Sequence, residues 1–386
     1  MPLADRDLPR MHRYLRGRTP ALLRLLRRLV ELESPSHDKA AVDRLARVLA
    51  REWQRRGARV RLLRRADHGD VLRAELSFRR RRRGQLLVLG HLDTVYDRGV
   101  LPRMPFHTRG ARVCGPGTFD MKGGIVIGLA AVEVLQAFRL VPARKVVFLY
   151  SSDEETGSAA SEVFIAREAR RSQAVLVLEP AAGSRGALKT ARKGVAEYEL
   201  TVHGRAAHAG LDPEKGVSAT LELACQIPRI AALAKPMRGV SVNIGRIQGG
   251  TRTNVVAAQA RASIDVRAYH RADLDRLESR FQAFRPVLAG ARLEWRQLGK
   301  RPPLERTAGV ARLFREAQQV ADALGFRLEE AAVGGGSDGN LTAALGIPTL
   351  DGLGAVGAHA HSPREYALIA SLPQRAALLA GLLLRL

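Results

Sequence analysis

The chain has 386 residues, 46% of them hydrophobic and 26% charged; this is room for two domains with buried cores and excludes a peptide hormone, a minimal binding module or a disordered chain. No run of about 18 strongly apolar residues occurs, and the N-terminal MPLADRDLPRMHRYLRGR lacks the apolar stretch of a secretory signal, so a cytoplasmic protein without a membrane partner is expected. The formal charge of +25, with 55 of the 63 basic residues being Arg, would attract nucleic acid or acidic small molecules, although a base composition that writes Arg wherever a solvated cation serves is the plainer account.

Leu22, Leu25, Leu26 and Leu29 recur at helical spacing before the stop Glu33-Ser34-Pro35-Ser36, and Val42, Leu45, Val48 and Leu49 repeat the pattern. Val71–Phe78 and Gln85–Gly90 read as strands. The Arg79–Arg83 run between them reads as a solvated hairpin tip, with no aromatic residues interleaved for base stacking, so no specific nucleic-acid partner is expected. Ile125–Phe138 reads as a helix, Lys145–Tyr150 as a buried strand, Ser158–Glu168 as a helix and Ala174–Leu178 as a second buried strand. Strands alternating with helices imply an α/β sheet covered on both faces.

The pattern then changes. Ala196, Tyr198, Leu200 and Val202 alternate with polar residues, as do Ala260, Ala262, Ile264 and Val266, which is the signature of strands with one wet face. With helices near Val217–Ile227 and over Leu274, Leu277, Phe281 and Phe284, and strands near Val240–Ile247 and Leu293–Leu298, the order is β-α-β-β-α-β, a ferredoxin-like α+β unit. After Arg301 the first style resumes with a helix near Val310–Leu324, the turn Gly334-Gly335-Gly336-Ser337-Asp338, a strand Thr349–Leu353 and a C-terminal helix. The expected architecture is an α/β domain with a mixed sheet (1–190 and 301–386) interrupted by an inserted α+β domain (191–300).

Cys114 and Cys225 form neither a disulfide framework nor a metal-ligand spacing, so a metal has to be held by His and carboxylates. Five places put such ligands at the end of an expected strand or in the loop after it, where open α/β sheets bind. They are His91-Leu92-Asp93, Asp120 in a Gly-rich loop, Glu154-Glu155, Glu179-Pro180, and His359-Ala360-His361. Singly each is weak. Together they supply what a dinuclear site requires: a bridging carboxylate plus one His and one carboxylate for each metal, with a carboxylate left over to take a proton from water.

These segments, with Lys193-Gly194-Val195, His203 to Gly210 and Asn254-Val255-Val256, resemble the dizinc exopeptidases and deacylases. That family includes glutamate carboxypeptidase, acetylornithine deacetylase, succinyl-diaminopimelate desuccinylase and aminoacylase, and the wording is nearest the glutamate carboxypeptidase branch. The resemblance runs from Leu22 to the end and implies two Zn2+ ions, or Co2+ or Mn2+ in their place, bridged by Asp120. His91 and Glu179 would complete one site and Glu155 and His361 the other, with His361 preferred over His359 because relatives place a Glu four residues after the ligand, where Glu365 stands. It further implies Glu154 as general base, Asp93 as the group fixing the tautomer of His91, and a cis peptide after Asp120.

In the inserted domain, His208 matches a histidine that reaches the partner subunit's active site, which implies a homodimer through this lid and dimerisation domain. Asn254, Arg267, Arg301 and the backbone of Gly335, Gly336, Ser337 and Asp338 match substrate contacts. Relatives usually read Asn-Val-Val-Pro where this chain has Ala257, a difference of loop rigidity. The implied activity is hydrolysis of an amide beside a free carboxylate, releasing a C-terminal acidic residue such as glutamate from small acidic peptides or N-acyl conjugates. The alternative within the family is an N-acyl amino acid deacylase. A nucleic-acid-binding protein on a hydrolase scaffold is disfavoured by the intact ligand set.

Overall fold

The computed structural model describes residues 7–77 and 84–386. The Arg79–Arg83 run and Phe78 therefore lie outside the described residues. The chain divides into two units, one running to Thr190 and taking in Arg306–Val333 and Ser337–Leu386, the other formed by Ala191–Glu305 with Gly334–Gly336.

The first unit is built on a six-stranded mixed sheet in the order Arg59–Leu63, Val71–Leu76, Lys145–Ser151, Gln85–His91, Ala174–Val177, Thr349–Leu350. The first two strands run antiparallel and the remaining four are parallel to one another. Successive side chains of the central strands go to opposite faces. Leu86, Val88, Phe148 and Tyr150 join a core with the helices Thr19–Val30, Lys39–Arg55, Lys122–Ala137 and Ser371–Arg385, while Leu87, Leu89, Val147 and Leu149 pack with Ile165 and Ala169 of the helix Glu162–Ala169. Because both faces are covered, these strands read in sequence as continuous apolar runs.

The second unit is a four-stranded antiparallel sheet in the order Ser241–Gly249, Gln259–Ala268, Gly194–His203, Arg292–Arg301, with helices Ala219–Ala232 and Arg271–Gln282. Its chain order is the expected β-α-β-β-α-β. The inward residues Tyr198, Leu200, Ile264 and Val266 meet Leu274, Leu277 and Phe281, and Phe281 stacks on Trp295 at 4.7 Å.

Two expected elements are shorter than their apolar runs suggest. The strand at Thr349 ends at Leu350, because Asp351 leaves the sheet to form a bridge with Lys189 and Gly352 turns the chain at φ +80°. The helix expected from Ser158 begins at Glu162, since Ser158 has φ +66° and its N–H donates to the Asp153 carbonyl. A helix at Asp7–Gly17 and short strands at Arg59–Leu63, His107–Arg109, Arg112–Cys114, Leu188–Arg192, Glu330–Val333, Gly357–Ala358 and Tyr366–Leu368 were not expected from the sequence.

Candidate metal centre

Each candidate ligand stands where a strand or a tight loop ends. His91 is the last residue of the strand Gln85–His91, and Glu179 lies just beyond Ala174–Val177. Asp120 immediately precedes Met121 and the helix Lys122–Ala137, and its peptide bond to Met121 is cis. Glu154 and Glu155 open a 3-10 turn after Lys145–Ser151, and His361 sits between the short strands Gly357–Ala358 and Tyr366–Leu368.

These places converge. His91 Nε2 lies 3.2 Å from Asp120 Oδ1 and 3.3 Å from Glu179 Oε1. His361 Nε2 lies 3.1 Å from Glu155 Oε2 and 3.4 Å from Asp120 Oδ2. Two three-residue groups result, His91-Asp120-Glu179 and Asp120-Glu155-His361, sharing Asp120 through one oxygen each. The His359 ring instead lies 6.0 Å from that of Tyr366.

A second layer of buried polar residues fixes this arrangement. Asp93 accepts the N–H groups of Glu154 and Glu155 at 3.2 Å and the hydroxyl of Ser36 at 2.7 Å, so its carboxylate sits at the N-terminus of the turn that carries both glutamates. His91 Nδ1 is nearer the Asp93 carbonyl oxygen, at 2.9 Å, than its carboxylate, at 3.4 Å. Glu365 accepts the N–H groups of Gly117, Phe119 and Asp120 and the Tyr96 hydroxyl, and so ties the His361 loop to the Asp120 loop. Glycines at two positions let Glu179 come in: a Cβ on Gly124 or on Gly354 would stand 2.2 Å from the Leu178 carbonyl oxygen.

The electrostatics are those of a cation site. Burial alone would lower the pKa of His91, but Asp120, Asp93 and Glu179 outweigh it and push it well above the imidazole range. Asp120 and Glu155 push His361 up to about 10. Burial would raise Asp120, yet His361 and His91 hold it below the usual carboxylate range, while burial keeps Glu155 above it. Glu155 Oε1 is buried without a hydrogen-bond partner. Three carboxylates and two imidazoles aimed at one another, with one buried oxygen unsatisfied, fit hard or borderline divalent cations.

The other candidates divide between the units. His208, Asn254, Arg267, Arg301, Gly335 and Gly336 belong to the second unit, Ser337 and Asp338 to the first. His208 is exposed, and its Nδ1 accepts the N–H groups of Gly210 and Leu211, both at 3.1 Å. The Asn254 carbonyl accepts the Ala209 N–H. Arg267 turns its fork on Asp265 at 2.9 and 3.2 Å and reaches the Gly334 carbonyl. Gly335 and Gly336 give their carbonyls to Arg192. Ser337 and Asp338 point inward: Ser337 caps the helix Asp338–Ala344 and donates to Asp351, and Asp338 accepts the Ser151 and Ser158 hydroxyls.

Sequence reasoning singled out the ligands but not the anchoring roles of Ser36, Tyr96 and Asp338, because each bonds to residues far away in the chain. Glu365 is legible in the sequence as a neighbour of His361, whereas its grip on the Asp120 loop, 245 residues away, exists only in three dimensions.

A model of peptidase family M20/M25/M40 matches residues 87–385. Carboxypeptidase G2 from Pseudomonas sp. is 29% identical over 95% of this chain and 89% of its own length. An acetylornithine deacetylase from Yersinia pseudotuberculosis is 30% identical over 48% of this chain and 49% of its own. Among solved structures, aminopeptidase PepT from Bacillus cereus superimposes with a TM-score of 0.78 at 23% identity, covering 95% of this chain and 98% of that one. An M20 family metallo-carboxypeptidase from Sulfolobus solfataricus gives 0.73 at 18%, covering 94% and 98%.

Proposed function

The chain belongs to peptidase family M20/M25/M40, and from that premise we propose a dizinc amide hydrolase that releases a C-terminal acidic residue such as glutamate from small acidic peptides or N-acyl conjugates. The observation that carries this reading is the sharing of Asp120 between two ligand groups. Likeness to Carboxypeptidase G2 over nearly the whole chain supports the carboxypeptidase branch. In this reading His91, Asp120 and Glu179 hold one Zn2+ and Asp120, Glu155 and His361 the other, with Co2+ or Mn2+ as substitutes. Bound there, the cations supply Lewis acidity to the scissile carbonyl and to the attacking water.

The chain's own groups do the rest. The Asp93 carbonyl accepts a hydrogen bond from the Nδ1–H of His91, so that Nε2 would be the ligand atom. Glu154, its backbone tied to Asp93, accepts the water's proton and returns it to the leaving amine. His208 has both backbone donors on Nδ1, so its own proton sits on Nε2 and can be donated to the developing oxyanion. It serves the other protomer of a homodimer formed through the second unit. Arg301, Asn254 and the turn Gly335-Gly336 receive the substrate carboxylate, with Arg267 a lesser contributor because Asp265 already occupies its fork.

The test is kinetic. The metal-loaded enzyme is expected to favour an N-acyl-glutamate over its α-amide by about 10-fold or more in kcat/KM, the worth of one charge-assisted hydrogen bond. Equal turnover of acid and amide, or preference for N-acetylornithine, overturns the carboxypeptidase reading and leaves the deacylase one, which the partial likeness to acetylornithine deacetylase favours.

A further inference from the structure

At the antiparallel edge of the first unit's sheet, Arg59, Arg61, Arg73, Lys145, Arg167 and Arg171 line a basin of about 370 Å³. The strand Arg59–Leu63 places Arg59 and Arg61 on one face, and Arg61 stands directly opposite Arg73 on the neighbouring strand. Like charges so placed repel each other unless something negative lies among them. The basin has two carboxylates, Glu75 and Glu168, and both are taken. Arg73 binds Glu75 at 2.7 Å and Glu168 at 3.0 Å, while Lys145 and Arg171 approach the same pair at 3.7 and 3.6 Å. Arg59 stands across from Glu75 on the neighbouring strand, yet among the described residues neither it nor Arg61 nor Arg167 forms an ion pair with a carboxylate, those of Glu75 and Glu168 being bound by Arg73.

The helix Glu162–Ala169 ends here, and its C-terminus opposes an anion by about half a charge. Six cations against two carboxylates leave an excess several times larger. Lys145 begins the strand whose other end, Ser151, pairs with His91; at about 3.3 Å per residue the basin lies on the order of 20 Å from the metal ligands. It is a separate feature of the unit.

We propose that this basin is a binding site for a small anion bearing adjacent phosphate groups, such as pyrophosphate or the diphosphate of a nucleotide. Guanidinium forks match phosphate oxygens in pairs, and three forks outside any ion pair, that of Arg167 lying over the Phe164 ring, suit two or three neighbouring negative charges.

Calorimetric titration of the full chain with pyrophosphate, ADP and citrate tests this. One pyrophosphate per chain is expected, weakened at least tenfold in the R59A/R61A double variant. The variant R47A/R51A, which removes the same charge from exposed positions of the helix Lys39–Arg55, is expected to stay within about twofold of the parent. Tighter binding of ADP than of pyrophosphate would support a nucleotide as the source of the phosphates. Citrate binding as tightly as pyrophosphate, equal weakening in both double variants, or no saturable site would show diffuse attraction to an Arg-rich surface and overturn the proposal.

Discussion

The strand ends of the first unit and the loops of the second hold their candidate residues in opposite ways. His91 is 2% exposed and Glu179 7%, and the groups around them are fastened in turn by Asp93 and Glu365. His208 and Asn254 stand in solvent, held by a few backbone hydrogen bonds. Burying a carboxylate is costly unless hydrogen bonds or cations meet it, so the first region has to be over-determined in order to exist. The second carries no such cost. Substitutions in the first are therefore expected to act on metal, rate or stability, and those in the second loops on selectivity.

The largest effect is expected at Glu154. In Glu154→Gln both metals stay bound while turnover falls by about 10²-fold or more, as for a lost general base; steady-state kinetics and metal analysis on one sample check both halves. Loss of metal together with activity would make Glu154 a ligand and merge the two roles that separate it from Glu155.

Next is Asp93→Ala, which removes the acceptor of two turn N–H groups without touching a ligand atom. Metal affinity is expected to fall about 10- to 100-fold, the usual cost of losing a ligand's support, read by competition with a chelating dye. An unchanged affinity would mean that the turn is fixed by other bonds and that the first region is less tightly coupled than described.

The second unit also has one over-determined carboxylate, away from its exposed loops. Glu222, fully buried, accepts from Gln226 and from the N–H groups of Val287 and Leu288. Burial would raise its pKa, but these bonds outweigh it and hold it below the usual value. Its contribution is thus complete above the unfolded pKa of about 4.3 and is lost as pH falls through the lower folded value. Glu222→Gln is expected to cost about 1.5–3 kcal/mol at pH 7 in urea unfolding, the difference shrinking below about pH 4. A constant difference across that range would assign the loss to packing.

The smallest effect is expected at Arg267. Because Asp265 already fills its fork, Arg267→Ala should alter the preference for free acid over amide by less than about threefold, whereas Arg301→Ala should reduce it by the tenfold or more that one charge-assisted bond is worth. The reverse order, measured as the ratio of kcat/KM for the two substrates, would make Arg267 the carboxylate anchor.

The same contrast explains what could be read in the sequence. The parallel strands announce themselves because both faces are covered, and their ends mark His91, Glu154 and Glu179 without any contact being known. Edge and peripheral elements are quieter: Arg59–Leu63 has two arginines among its five residues, and the helix Asp7–Gly17 buries only Leu8, Met11 and Leu15 among charged neighbours. The resemblance marks Ser337 and Asp338 for their backbone groups, whereas the work of their side chains, which face Asp351, Ser151 and Ser158, is not legible in the sequence. A bond across 187 residues leaves no local pattern. Glu365 illustrates the middle case, marked by its distance from His361 but given its work by loops hundreds of residues away.

In the proposed dinuclear centre Asp120 joins the two ligand groups. Titrating metal-stripped protein with Zn2+ while counting bound ions and following amide hydrolysis tests it most directly. Two equivalents per chain are expected, with binding of both weakened in Asp120→Asn; saturation at one equivalent, or two ions bound unchanged by that substitution, would contradict it.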